Sequence, residues 1–564
     1  MADRYPLIVD NTTSTIKELP SGDNLNLQGS NIVNAAGFAA TTVNISGVVT
    51  AASLTVNTVD VTPIHEITTY YVTTGGNDST GDGSASNPWA TPHKAMEYLR
   101  TRRINVTEGY TRVTVNVGVG TYNFGLNQTA GGAGYIDGTY ALSGGTGSGA
   151  FVAISTNGSA TGAITRVKLL DPGTGYLASD TLGINTTTGS GFVCGVFHVG
   201  ATEGQILGPI TIDHTDGDQI LITGADPSGI KPGRRGNHFY NQVGVGLGSD
   251  PAGTGPNYTW SDVYDSSSPA GAYPNPMANG KGNTDASNIY NRSILESYYT
   301  TRLYFQGCDG FVSRQSNPAK IDKFAIFGQK ADGSRVESDD LSTLGITNAP
   351  TVGVSTADGL SSPVGQSRAG NIDLGNDISV HGFTYGIYIT GGQLQGNLTT
   401  ITNTGSVGLI ANRNCYASLR TPTILNNTYH SCYSYGGIYY AYGGSLSNNG
   451  SVGALCHYSG FAFLGNGNVD TVGFGFSTII ANNSTGVYTV DNGVIRVDGR
   501  YNQMLYVYGN STNQMRADRG GVIDRAGANI TVAAAHGTDS LASPALNTSG
   551  NGGAMIVTQS APAF

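Results

Sequence analysis

The sequence predicts an all-β chain whose body is a parallel β-helix, and three observations carry that expectation. The first is a repeat. Gly386-Ile387-Tyr388-Ile389, Gly408-Leu409-Ile410-Ala411, Cys432-Tyr433-Ser434-Tyr435, Gly453-Ala454-Leu455-Cys456 and Gly486-Val487-Tyr488-Thr489 begin 22, 24, 21 and 33 residues apart. A strand-sized apolar piece returning every ~20–30 residues is the signature of a solenoid. The second is a polar corner ahead of three of these pieces: Asn403-Thr404-Gly405-Ser406, Asn448-Asn449-Gly450-Ser451 and Asn482-Asn483-Ser484-Thr485. The third is composition. Residues 371–493 are built from Gly, Asn, Ser, Thr, Tyr and Val, and no Glu follows Glu337. That mixture opposes helix and suits strands joined by tight turns.

In such a solenoid each coil lays a few strand residues beside the next, and the inward positions stack into one core. Period-2 alternation assigns the faces. Ile387/Ile389, Leu409/Ala411, Ala454/Cys456 and Val487/Thr489 read as interior. The same alignment turns Tyr433 and Tyr435 inward. The 33-residue step marks an inserted loop.

At 564 residues the chain is long enough for a large core and several modules. Charged residues are only 12%, yet hydrophobics reach 38%, which excludes a disordered chain. The net charge of −10 and the lack of a long basic run argue against a nucleic-acid partner. No run of roughly 18 apolar residues exists, so membrane insertion is not expected. The N-terminus lacks the apolar centre of a signal peptide. Cys194, Cys308, Cys415, Cys432 and Cys456 are scattered without CxxC spacing and read as buried free thiols, in keeping with assembly in a cytoplasm. No cofactor is expected.

Residues 1–30 contain two short strands, around Tyr5, Pro6, Leu7 and Ile8 and around Ile16, Leu19 and Leu25, with a Pro20-Ser21-Gly22-Asp23 turn. So small a piece needs a partner. The pattern resembles the N-terminal attachment segment of tail-fibre and related virion proteins of tailed bacteriophages, particularly those infecting marine cyanobacteria. The resemblance implies a virion protein, in the tail, made in the host cytoplasm and docked by this segment to a tail or adaptor protein. Residues 31–69 carry isolated Val and Ile without a local core and read as the neck of a homotrimer, with strands shared between chains.

Residues 70–130 read as the cap and first coils. A strand at Tyr70-Tyr71-Val72 leads into a Gly-rich loop. Thr91 is placed as N-cap and Pro92 as N1 of a helix with Ala95, Met96 and Leu99 on its apolar side. Val113, Val115, Val117 and Val119 then alternate as a strand. This order resembles the start of pectate-lyase-like right-handed β-helix proteins, in which a short helix covers the open end of the first coil.

Residues 131–202 read as a small inserted β module similar to one found in many phage structural proteins. The Gly144-Gly145-Thr146-Gly147-Ser148-Gly149-Ala150 run is not a nucleotide loop, since no Lys-Ser/Thr follows it. Residues 203–524 form the body, with long loops at 226–300 and 331–369. Residues 525–564 form a C-terminal cap or trimerisation region.

Glu337, Asp339 and Asp340 are the densest carboxylates, and paired acids can hydrolyse glycosidic bonds. A solvated loop explains them as well. The calcium-binding acids and catalytic Arg or Lys of pectate lyases cannot be assigned here, so that activity is not carried over. Asp78 and Asp82 are the metal candidates, against plain turn roles. Tyr439, Tyr440, Tyr442 and Tyr458 are the candidates for contact with a host cell-surface glycan, because aromatic faces stack on sugar rings and hydroxyls bond to them. They sit in a stretch with no Asp or Glu between Asp377 and Asp470. The expected function is a tail fibre or tailspike that binds its receptor. The alternatives are a polysaccharide-degrading tailspike and a head or baseplate decoration protein.

Overall fold

The computed structural model describes residues 67–104, 113–156, 162–227, 295–336, 351–356, 370–465, 478–498 and 513–526, with short gaps inside some of these. It also describes short strands at 7–10, 15–18, 55–56, 59–60, 505–508 and 555–559. The chain divides into two units, 1–54 and 55–564. In the first, Leu7–Asp10 pairs antiparallel with Thr15–Glu18. Tyr5, Pro6, Leu19 and Leu25 lie outside the described residues.

The second unit is a parallel β-helix. Its coils stack into three sheets of nine, twelve and fourteen described strands, the last including five antiparallel strands of the inserted module. One coil is Tyr385–Thr390, Gln393–Asn397 and Thr400–Thr402, one strand in each sheet. The next is Leu409–Asn412, Tyr416–Arg420 and Thr423–Leu425. Each strand pairs in parallel with its counterpart one coil away, as Ile387 with Leu409 and Ile401 with Ile424. Short connections at the corners let the coils repeat at this small period. Among the described residues no helix is long and apolar enough to cross a membrane.

The inward faces form one continuous core. Ile387, Leu409, Cys432, Ala454 and Val487 make a column in the nine-stranded sheet, all fully buried. Near the first coils the filling is aromatic: Phe305 packs against Phe124, Phe311 and Phe383 at 5.3, 6.3 and 6.4 Å between centroids. All five cysteines are free and buried, as the spacing predicted.

One coil is displaced by a residue from the sequence alignment. Leu409 pairs with Cys432, and Ile410 with Tyr433. The repeat therefore begins at Ser431, and its starts at 386, 408, 431, 453 and 486 are 22, 23, 22 and 33 residues apart. Cys432 and Ser434 point inward, while Tyr433 and Tyr435 point out, the reverse of the expectation. With period 2, a slip of one residue exchanges the faces. The physical constraint at the starting position is space. A Cβ on Gly408 would lie 2.4 Å from Ile424 Cγ2 and 2.7 Å from the Ser431 carbonyl oxygen, and Gly386 and Gly453 are equally confined. Ser431 fits because its Oγ bonds the Ile424 carbonyl at 3.2 Å. Gly408→Ala is expected to destabilise by about 3 kcal/mol through overpacking. A thermal unfolding midpoint equal to the parent's would contradict this placement.

The Asn-rich corner is a ladder. Asn427 Oδ1 accepts from Thr404 N and Oγ1 at 3.1 and 2.8 Å. Asn449 Oδ1 accepts from Asn427 N and Nδ2 at 3.1 and 2.9 Å. Asn483 Oδ1 accepts from Asn449 N and Nδ2 at 3.0 and 2.9 Å. The corner thus runs through a fourth coil, at Asn427, that the sequence repeat did not single out. An amide carries two acceptor sites and two donors, so it can join its own coil to both neighbours inside a dry turn.

The cap follows the sequence closely. Thr91 accepts from Lys94 N, Pro92 opens the helix Pro92–Arg100, and Ala95, Met96 and Leu99 are buried. Trp89 lies over Tyr70 at 5.2 Å and its indole donates to the Gly81 carbonyl. The strand stops at Val117, and Val119 is 65% exposed, so the fourth Val is not part of the alternation. The strand read at Tyr70-Tyr71-Val72 is present as Thr69–Val72 and pairs in parallel with Val113–Val117. The strand Gly120–Ala133 carries the chain out of the solenoid. Its first part pairs in parallel with Thr301–Gln306, and its second part pairs antiparallel with Ser190–Val196 of the inserted module. In the stretch read as a polar loop at 331–369, Val352–Ser355 is a buried strand of the nine-stranded sheet.

Candidate functional site

The outer face of the twelve-stranded sheet carries an aromatic surface. Alternation creates it. In Tyr416–Arg420, Ala417 and Leu419 point in while Tyr416, Ser418 and Arg420 point out. In Ile438–Tyr442, Tyr439 and Ala441 point in while Ile438, Tyr440 and Tyr442 point out. In Phe461–Gly465, Ala462 and Leu464 point in while Phe461 and Phe463 point out. Parallel register then sets rows across the coils: Tyr416, Ile438 and Phe461 in one, and Ser418, Tyr440, Phe463 and Arg496 in the next.

The rings touch. Tyr440 lies 5.2 Å from Tyr416, 5.7 Å from Tyr442 and 5.6 Å from Phe463, and Tyr442 lies 5.6 Å from Phe463. Tyr416 and Ile438 are 39% and 38% exposed. Tyr440 and Tyr442 are half-buried. Partial burial pushes the Tyr442 hydroxyl up to about 12, helped by the neighbouring Tyr416 and Tyr440 and opposed by Arg420. The Tyr440 hydroxyl is raised for the same first reason. Both phenols therefore stay neutral at neutral pH and can donate as well as accept. A flat array of rings with hydroxyls at its edge provides stacking faces and directed hydrogen bonds together.

The four tyrosines singled out in the sequence are separated by the structure. Tyr440 and Tyr442 join the array. Tyr439 does not: it is fully buried within the strand and is removed from the candidate contacts. The strand parity that exposes its two neighbours turns it inward. Tyr416, Phe461 and Phe463 were missed, although alternation against Ala417, Leu419, Ala462 and Leu464 marks them once the strands are recognised.

Tyr458 belongs to a different group, at the corner following Val452–His457. It is 51% exposed and stacks on His457 at 3.8 Å and against Tyr435 at 4.7 Å. Behind it runs a fixed chain. The Tyr433 hydroxyl donates to His457 Nδ1 at 3.0 Å, His457 Nε2 meets Asp491 Oδ2 at 2.5 Å, and Asp491 Oδ1 takes Arg519 Nε at 2.9 Å. Burial raises the Tyr433 hydroxyl pKa first, with neighbouring tyrosines and Asp491 adding to it. Both imidazole nitrogens are hydrogen-bonded, which fixes the ring against which Tyr458 stacks.

The acids resolve as follows. Glu337, Asp339 and Asp340 lie outside the described residues. Asp78 Oδ1 accepts from Ala90 N and Thr91 N at 2.7 and 3.0 Å, and Oδ2 accepts from Thr91 Oγ1 at 2.7 Å. It ties the loop to the helix start. Asp82 accepts from Ser84 N at 2.8 Å, a bond that holds its carboxyl below the usual range. Among the described residues no cluster of three or more His, Cys, Asp or Glu could hold a metal ion. A cleft of about 560 Å³ opens between the cap helix, the inserted module and the first coils. Three of its carboxylates are already paired, Glu97 with Lys94, Asp213 with Arg100 and Asp309 with Lys168. Its lining lacks a Trp, Tyr or Phe ring. The aromatic sheet face is therefore the stronger candidate for sugar contact.

No family model matches the chain, and no curated protein matches it. Among solved structures, one titled "Glycoside hydrolase" aligns with 81% of this chain and 92% of its own length, at 9% identity and a TM-score of 0.20. A likeness at that level carries no argument about fold or activity.

Proposed function

We propose that this chain is a tail-fibre or tailspike-type virion protein of a tailed phage, which binds a host-surface glycan through the outer aromatic face around Tyr440 and Tyr442 and does not cleave it. One observation carries the reading: Tyr416, Tyr440, Tyr442 and Phe463 form a contiguous ring surface across three coils of a rigid sheet. Sites built on regular elements hold their geometry better than sites on loops. The non-cleaving half rests on chemistry. Hydrolysis by the usual route needs two carboxyl groups roughly 5–9.5 Å apart, and residues 378–469 contain no Asp or Glu. Attachment by residues 1–30 rests on their resemblance to virion anchors. Homotrimer formation rests on the coreless apolar pattern of residues 31–69.

Purified full-length protein is expected to bind host cells, and Tyr440→Ala combined with Tyr442→Ala is expected to weaken binding by about 10- to 100-fold, from two stacking contacts of about 0.5–1.5 kcal/mol each plus their hydroxyls. Unchanged binding by the double variant would remove this face from the site. Oligosaccharide release from host polysaccharide would refute the absence of cleavage.

A further inference from the structure

The charge around the aromatic face has one sign. The whole chain carries 38 Asp and Glu against 28 Lys and Arg. Residues 378–469 reverse this balance, with Arg413 and Arg420 as their only Lys or Arg and no acid at all. Arg420 is exposed at the end of Tyr416–Arg420, in cross-strand register with Tyr442. No carboxylate pairs with it among the described residues. Arg413, likewise exposed, lies across the corner with its guanidinium 5.7 Å from the Tyr435 ring.

The nearest acids in the Tyr440 row are Asp373 on one side and Asp524 on the other, each three strands away. Three strand spacings are about 14 Å, beyond the screening length of about 8 Å at physiological ionic strength. Arg496, one strand beyond Phe463, is half-buried, so among the described residues Arg420 is the exposed cation in register with the platform tyrosines. An open guanidinium presents paired donors matched to a carboxylate or a sulfate.

We infer that the ligand of this face is an anionic polysaccharide, whose carboxylate or sulfate groups are met by Arg420 while its sugar rings stack on Tyr440 and Tyr442. This rests on the glycan-binding reading and adds its charge class. Ring stacking holds the chain of sugars, and Arg420 selects the charged ones. A neutral glycan would leave the guanidinium without the acceptor it is arranged to meet.

The test uses the full-length protein with three polymers: dextran, polygalacturonate and dextran sulfate. Retention on one or both charged polymers is expected to exceed that on dextran by at least about tenfold. It is expected to fall at about 1 M salt, where the screening length is about 3 Å. Which charged polymer is retained separates carboxylate from sulfate. Arg420→Gln is expected to remove the preference, and Arg420→Lys to restore part of it. Equal retention on all three, lost in the Tyr440→Ala, Tyr442→Ala variant, overturns the anionic class and leaves the glycan reading standing. Retention on none overturns both. A preference that survives Arg420→Gln overturns the role of Arg420. A lower oligomer mass of the tyrosine variant in sedimentation assigns the face to a contact between copies, and overturns the inference.

Discussion

Asn449→Ala is expected to destabilise the solenoid by about 3–5 kcal/mol, from several buried polar groups left without partners at about 1–3 kcal/mol each before relaxation. Asn449 is 1% exposed and serves three coils. Its loss would leave Asn427 N and Nδ2 without an acceptor. It would also leave the Ser447 carbonyl and Asn483 Oδ1 without that donor. A solenoid's stability is set largely by its interfaces between neighbouring repeats, so the damage should concentrate at the coils around 427, 449 and 483. Hydrogen exchange of the backbone amides there is the measurement, since a long repeat array need not unfold in one step. Ser418→Ala, on the outer face, serves as the control and should change stability by no more than about 0.5 kcal/mol. Equal protection in the two variants would show that the ladder does not hold the corner.

The second large effect is expected at the root of the inserted module. Lys168 Nζ lies 2.9 Å from Asp309 Oδ2, with side-chain exposures of 3% and 8%. The pair links the strand Ile164–Thr174 of the module to the coil before Phe311–Ser313. Asp309 Oδ1 also accepts from Val352 N at 2.8 Å, bringing in the next coil. Asp309→Ala leaves a buried ammonium unpaired and is expected to lower stability by about 3–5 kcal/mol, whereas removal of both charges is often neutral. Lys168→Met with Asp309→Asn keeps the acceptor for Val352 and should recover most of the loss. Thermal unfolding and limited proteolysis within 126–199 provide the readout. A double variant as unstable as Asp309→Ala would show that burial of an unpaired charge does not account for the loss.

Much of the fold can be read along the chain because its determinants are local and periodic. Thr91 and Pro92 start a helix by satisfying or removing orphan amides of its first turn, and the structure shows that start. Apolar residues two apart, recurring every 22 or so residues, specify strands that must stack. The absence of acids between Asp377 and Asp470 is likewise a property of the sequence alone. Register was decided elsewhere. Cys432-Tyr433-Ser434-Tyr435 alternates equally well in either phase by sequence, and only the stacking of coils, which pairs Leu409 with Cys432 and bonds Ser431 Oγ to the Ile424 carbonyl, turns the tyrosines outward. Tyr439 and Tyr440 are adjacent identical residues, separated into core and surface by strand parity. The ring array joins residues some 22 positions apart, and the Lys168–Asp309 pair joins residues 141 apart, as its numbering shows. Such contacts depend on how coils stack and where an insertion folds back, so they exist only in the tertiary structure.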